Sequence, residues 1–324
     1  MCGLIDVDVD YPGNDLGPAI NSSSPEACCQ TCARNEDCCA WTWVRRINLC
    51  FLKGRHPRSK LSKIQNSMTI SGQPTQVQRG IPVVIREPGT SLLCWSLMLP
   101  YGYEREMLGM QYRRGLSIFK CDEYTVYSNE SIVVAPGVIT SVVQSDMHCE
   151  KGGEFKTALN TPIFMAVWTR IFKENRARFH DWIVKADADA VFFADRLRRV
   201  VMNHPEDDRG VYLNNCRMGM HGPLEVFSRN AVAAWEGARG RCIAHFSRLC
   251  NGDCKWGEDM FIDQCLWKVQ LVRRDFEGRL LVEDHCAPPP DWWQCRNASV
   301  VAFHPFKNVD GYEQCAANAM SVGR

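Results

Sequence analysis

Apolar positions fall in two styles along this chain, and the change between them comes near residue 90. Beyond it the apolar runs are continuous, as in strands buried on both faces, and they alternate with stretches of helical period. Leu92 to Leu99 reads as such a strand, ended by Pro100-Tyr-Gly, and Tyr103 to Tyr112 as a helix stopped near Gly115. Ser117 to Tyr127 and Val138 to Gln144 add strands, and Phe155 to Phe172 predicts a long helix. That helix leads into Trp182 to Ala194, WIVKADADAVFFA, a buried strand that ends in a turn. A helix at Arg196 to Asn203, a strand at Val211 to Asn214 and a helix at Arg229 to Ala238 capped by Ser228 follow. An amphipathic helix opened by Glu258 and an apolar strand before His304 complete the pattern. The alternation predicts an α/β fold, a mainly parallel sheet flanked by helices, which binds ligands beyond the carboxyl ends of its strands.

Before residue 90 the texture is polar and cysteine-rich. Seven of the 18 cysteines lie in the first fifty residues, a density typical of secreted disulfide scaffolds and of an oxidising compartment. Sequons at Asn21, Asn129 and Asn297 agree with it. The N-terminus has neither the basic start nor the apolar core of a signal peptide, and no run approaches a membrane span. The expectation is therefore a leader or anchor upstream, with the chain lodged in the secretory lumen or outside the cell. Ser22 to Ser24 followed by Pro25 and Glu26 starts a helix that carries Cys28 and Cys32 on one face. Trp41 and Trp43 lie on one side of a strand, and Cys50-Phe-Leu-Lys closes a second. The predicted organisation is a disulfide module at 1–73, a Pro, Gly and Gln-rich linker at 74–90 with a short extended piece at Val83 to Ile85, and an α/β domain at 91–324. With 324 residues, 45% apolar, the larger part can fill a core. A net charge of +1 gives no reason to expect nucleic acid as a partner.

Candidate chemistry starts at Asp187 and Asp189. Two residues apart on an extended chain, they share a face, with Lys185 behind them. Paired carboxylates at a strand end suit Mn²⁺ or Mg²⁺, which take oxygen ligands and leave positions for substrate phosphates. Asp at a strand end is also a common turn former. Gly219 and Gly222 allow close backbone approach to a ligand. Glu258 and Asp259, two acids after Gly257 at a helix start, supply a general base candidate, although one acid there ordinarily compensates the helix dipole. His304 offers an imidazole ligand, and Lys307 a cation for phosphate. Trp256, Trp292 and Trp293 can stack on a sugar or simply build core and groove wall. Cys250 and Cys254 read as disulfide partners rather than half a zinc site, and Cys286 and Cys295 as the ends of a stapled loop.

Two resemblances rest on these residues. SSPEACCQTCARNEDCCAWTW followed by CFLKG resembles the PAN/apple family. This implies Cys28–Cys50 and Cys32–Cys38 pairings and a protein or carbohydrate ligand. The extra Cys29 and Cys39 can pair with each other, which leaves Cys2 without an assigned partner. Asp187-Ala188-Asp189, the glycines around Gly219 and Gly222, Gly257-Glu258-Asp259 and His304, in this order, resemble the GT-A glycosyltransferases, closest to fringe-like inverting enzymes. Where the fringe-like pattern has three consecutive acids, this chain has Asp-Ala-Asp. The resemblance implies a nucleotide-sugar donor, typically a uridine diphosphate sugar, and a glycan or glycoprotein acceptor. Asp187 would contact the ribose and metal-bound waters, Asp189 and His304 would hold the metal, and Asp259 would deprotonate the acceptor. A haloacid-dehalogenase phosphatase competes through Asp187-Ala-Asp-Ala-Val191, and a non-catalytic adhesion protein through the N-terminal module. The joint presence of acids, glycines and His favours the transferase.

Overall fold

The computed structural model describes residues 2–35, 37–53, 54, 64–74, 89–153, 156–249 and 255–322. The chain divides into two units, Met1–Ile85 and Arg86–Arg324. The expected extended piece at Val83 to Ile85 and the Cys250/Cys254 pair lie outside the described residues, as does most of the expected linker.

The smaller unit is an antiparallel sheet with one helix. Its strands are β1 (Cys2–Asp10), β2 (Ile20–Asn21), β3 (Cys38–Val44), β4 (Leu49–Gly54) and β5 (Ile64–Pro74), in the order β1-β5-β3-β4-β2. Helix α1 (Pro25–Ala33) begins where Ser24 caps it, the serine hydroxyl accepting the Ala27 N–H at 3.2 Å, with Pro25 in the first turn. Its buried face carries Cys28, Cys29 and Cys32. Disulfides Cys28–Cys50 and Cys32–Cys38 staple helix to sheet, the two pairings expected. The expected Cys29–Cys39 pair does not form: Cys29 is disulfide-bonded and Cys39 is a free thiol. Cys29 sits on the buried helix face, whereas Cys39 falls on a strand position that is only partly covered, so the two side chains serve different layers.

The larger unit holds a seven-stranded mixed sheet flanked by helices. Its elements are β6 (Leu92–Leu97), α2 (Glu104–Arg114), β7 (Glu123–Ser128), β8 (Ser141–Val142), α3 (Thr161–Glu174), β9 (Trp182–Ala186), β10 (Val191–Phe192), α4 (Ala194–Val201), β11 (Val211–Asn214), β12 (Leu224–Ser228), α5 (Arg229–Leu249), α6 (Glu258–Gln264), β13 (Arg273–Phe276), β14 (Leu281–Glu283), β15 (Ala302–His304) and α7 (Val309–Ser321). Strand order in the sheet is β8-β7-β6-β9-β12-β11-β13. Pairings are parallel except on the two sides of β12, which runs antiparallel to β9 and β11. The reversal follows from connection length: residues 215–223 join β11 to β12 without a crossover helix, so the strands can only turn back. A second sheet, β10-β15-β14, stands beside the first.

Strand β9 is buried at every position, and its alternate residues feed two cores. Trp182 and Val184 join Leu92, Cys94 and the α4 residues Leu197 and Val200 on one face. Ile183 joins Leu93, Trp95 and the α3 residues Val167 and Trp168 on the other. Trp168 packs against Trp95, Phe172, Phe227 and Trp235 with ring centroids 5.5 to 6.4 Å apart.

Several expected boundaries move. Ser117–Lys120 forms a 3-10 turn, and the strand starts only at Glu123, after the Cys94–Cys121 disulfide. The expected strand at Val138 to Gln144 is two short pieces, Val138–Ile139 and Ser141–Val142. Helix α3 opens at Thr161-Pro162, Pro supplying the first turn, after a small hairpin of Lys151–Gly152 with Thr157–Ala158. Helix α5 continues past Ala238 to Leu249 because Cys242 and Phe246 extend its buried face. Cys286 and Cys295 do not staple one loop: Cys286 bonds Cys216 and Cys295 bonds Cys315, since each finds a nearer partner on a neighbouring segment. Among the described residues no helix is long and apolar enough to cross a membrane.

Candidate metal and transfer site

The site begins where β9 ends. Asp187 N–H donates to Pro223 O at 3.1 Å and Ala190 N–H to Asp187 O at 3.0 Å, closing the turn that carries the acids. Gln111 of α2 donates its amide to Ala188 O at 2.6 Å, the Phe306 N–H donates to Asp189 O at 2.9 Å, and the Tyr312 hydroxyl to Ala190 O at 3.1 Å. The turn is thus held from three elements, and its carboxylates are preset.

Asp187, Asp189 and His304 converge, with one ligand atom from each all within 4.8 Å of one another. His304 ends β15, and its Nε2 stands 3.5 Å from Asp189 Oδ1. The Tyr103 hydroxyl donates to Asp189 Oδ2 at 3.0 Å. Burial would raise the Asp189 carboxyl, but His304 and Tyr103 outweigh it and hold it below its ordinary value. Burial would lower the His304 imidazole; its bonds to Asp189 and Glu283 outweigh that and bring it up to about 9. Asp189 is 7% exposed, whereas the Asp187 side chain keeps 35% exposure and stays open to a ligand. Two carboxylates and an imidazole, preset by neighbours and partly open, fit a divalent cation. A cavity of about 290 Å³ opens against them, and Lys307, Tyr103, Glu104 and Phe164 also line it. Burial pushes the Glu104 carboxyl up to about 7, although it accepts the Leu99 N–H at 2.7 Å.

Behind the acids Lys185 is 2% exposed. Its Nζ donates to Gly222 O at 2.9 Å, Glu225 Oε1 at 3.1 Å and Glu258 Oε2 at 3.1 Å, lies 3.6 Å from Asp187 Oδ1, and sits 4.2 Å from the centre of the Phe164 ring. Burial opposes its charge, but the surrounding carboxylates keep the ammonium well above its usual range. Burial and then the neighbouring Glu258 push Glu225 up; burial and Asp259 push Glu258 up, against Lys185 and the Glu225 contact, which lower it.

Gly222 joins this cluster to the acid pair at the start of α6. Its N–H donates to Asp259 Oδ2 at 3.0 Å while its carbonyl accepts from Lys185. A Cβ there would stand 3.2 Å from Lys185 Nζ, tighter than usual, and 3.5 Å from Asp259 Oδ2, an ordinary contact. Gly219 has a φ of 153° and faces Arg274 and Asp263 instead, so the structure does not bring it to the carboxylates. Of the two acids Glu258 turns inward to Lys185, and its N–H donates to Asn160 Oδ1 at 2.9 Å. Asp259 is only half-buried, so its carboxylate is the more accessible of the two. Trp256 packs on Phe246, and Trp293 is 59% exposed. The reading of sequence alone missed Tyr103, Gln111, Glu225, His221 and Glu283. A carboxylate flanked by the apolar Leu224, Val226 and Phe227 was the available signal for Glu225, because a charge buried there needs a partner.

Residues 9–53 match the family model of the PAN domain, so the smaller unit contains a PAN domain. No curated protein matches the chain. Among solved structures the chain is similar to a glycosyltransferase involved in the glycosylation of the major capsid of PBCV-1, at 10% identity and a TM-score of 0.37, over 71% of this chain and 99% of that one. It is similar as well to the galactosyltransferase LgtC in complex with donor and acceptor sugar analogs, at 7% identity and a TM-score of 0.40, over 72% of this chain and 96% of that one.

Proposed function

We propose that the larger unit is a metal-dependent, inverting glycosyltransferase of the secretory pathway. It moves a hexosyl or N-acetylhexosaminyl group from a nucleotide sugar, a uridine diphosphate sugar by preference, to a hydroxyl of a glycan or glycoprotein. The observation that carries this reading is the convergence of Asp187, Asp189 and His304 at the end of the central strand, facing a cavity that Lys307 also lines. Asp189 and His304, together with Asp187, would hold a divalent cation, which would supply Lewis-acid stabilisation of the charge gathering on the leaving diphosphate. Lys307 adds a cation for the same phosphates. Asp259 takes the proton of the acceptor hydroxyl as its oxygen bonds the anomeric carbon and the bond to the diphosphate breaks, a role worth about 10²- to 10⁴-fold in rate. Gly222 aims Asp259 through its N–H, and Tyr103 aims Asp189. The PAN domain would engage a protein or carbohydrate and bring acceptors to the enzyme, and the disulfides suit the Golgi lumen.

The test is nucleotide-sugar hydrolysis by the oxidised chain with Mn²⁺ and with chelator, beside Asp189→Asn and Asp259→Asn. Release of one nucleotide that needs metal and is lost in Asp189→Asn is expected, while Asp259→Asn keeps donor binding and loses transfer. Absence of nucleotide binding under every condition would move the weight to an adhesion role for the whole chain.

A further inference from the structure

Glu283 is a buried carboxylate outside the triad, 3% exposed, at the end of β14. Strand register sets it beside His304 of β15. Its Oε2 lies 3.3 Å from His304 Nδ1, and its Oε1 is in contact with His221 Nδ1. An ionised carboxylate only accepts, so both histidines must present Nδ1–H to it. For His304 this keeps a proton on Nδ1, so the nitrogen that a cation would take is Nε2, which faces Asp189. The second contact secures Glu283 itself. His221 lies on the loop before Gly222, where Asn215 accepts the His221 N–H at 2.8 Å and donates to its carbonyl at 2.9 Å. The Cys216–Cys286 disulfide ties the same two segments together.

We propose that Glu283 is a positioning residue that fixes His304 in the tautomer and rotation required to bind a divalent cation, while His221 anchors Glu283 to the glycine loop. Partners of this kind orient metal-binding imidazoles, and their loss costs about 10- to 100-fold in metal affinity. The inference rests on the metal reading of the triad, and the experiment separates the two. Mn²⁺ alone is titrated into the oxidised full chain and followed by electron paramagnetic resonance, with pulsed detection of the nitrogen coupling from a bound imidazole. Wild type is expected to bind Mn²⁺ with that coupling, and His304→Gln to lose the coupling. Glu283→Gln is expected to bind about 10- to 100-fold more weakly with a diminished coupling and an unchanged near-ultraviolet circular dichroism spectrum. Should Glu283→Gln fail to fold, Glu283→Asp keeps the charge and shortens the reach, and the same loss of affinity is expected. Wild-type affinity and coupling in whichever variant folds overturn the inference and leave the metal reading standing. No nitrogen coupling in wild type, or no effect of His304→Gln, overturns the metal reading itself.

Discussion

Replacing Lys185 with methionine keeps the length of the side chain and removes its charge from a place where water cannot compensate. In the wild type that ammonium bonds Glu225, Glu258 and the Gly222 carbonyl. The second oxygens, Glu225 Oε2 and Glu258 Oε1, already lack hydrogen-bond partners. Without Lys185 the two buried carboxyls face each other with no cation between them. Breaking a buried pair from one side costs about 3–5 kcal/mol, against about 5–15 kcal/mol for a whole domain. At about 2–4 °C per kcal/mol for a unit of this size, the midpoint of thermal unfolding should fall by about 6–20 °C. The pH dependence has a definite sign. The Glu258 carboxyl is raised to about 7 in the fold from an ordinary 4.5, so its contribution to stability is full below the lower value and lost as pH rises through the higher. Removing Lys185 raises it further. The deficit should therefore be largest at about pH 8 and shrink towards about pH 5.5 as the carboxyls take up protons. Near-ultraviolet circular dichroism through thermal unfolding at both pH values measures it. A midpoint within about 2 °C of wild type at the higher pH, or equal deficits at both, would refute the reasoning.

Other expectations can be checked with ordinary means. Gly222→Ala forces the buried Lys185 Nζ to retreat by a few tenths of an ångström; a loss of about 1–3 kcal/mol in urea unfolding is expected, and none would show the cluster to be slack. Trp168→Ala empties the centre of the aromatic cluster between α3 and α5 and should cost about 3–5 kcal/mol by the same measurement. Alkylation of the native, unreduced chain followed by peptide mass mapping should label Cys39 and Cys149 and recover Cys28–Cys50, Cys216–Cys286 and Cys295–Cys315 as linked peptides. Labelling of Cys286 without reductant would contradict the Cys216–Cys286 bond.

The central strand and its two acids were readable because continuous apolar character and a sudden pair of carboxylates are both local signals. His304 and Asp259 were readable for the same reason, each standing at the end or start of an element. What surrounds them was not, because it depends on register. Lys185 meets Glu225 only because β9 and β12 pair antiparallel with those residues opposite, and Glu258 arrives from a helix 73 residues along the chain. Glu283 reaches His304 through a parallel pairing that no local pattern announces. Cysteine pairings divide the same way. The short-range ones in the PAN domain follow a known spacing, while Cys216 and Cys286 meet across 70 residues by topology alone. Helix α3 begins at Thr161-Pro162 rather than at the expected Phe155, although the proline carried the start signal.

The Cys216–Cys286 bond gives the site a history as well as a shape. In the reduced chain the glycine loop and the end of β14 must find one another across 70 residues by noncovalent contacts alone. Closing a span of that length covalently removes roughly 4 kcal/mol of chain entropy from the competing open states. A chain kept reduced would carry every residue of the site but hold these two segments together more weakly by that amount.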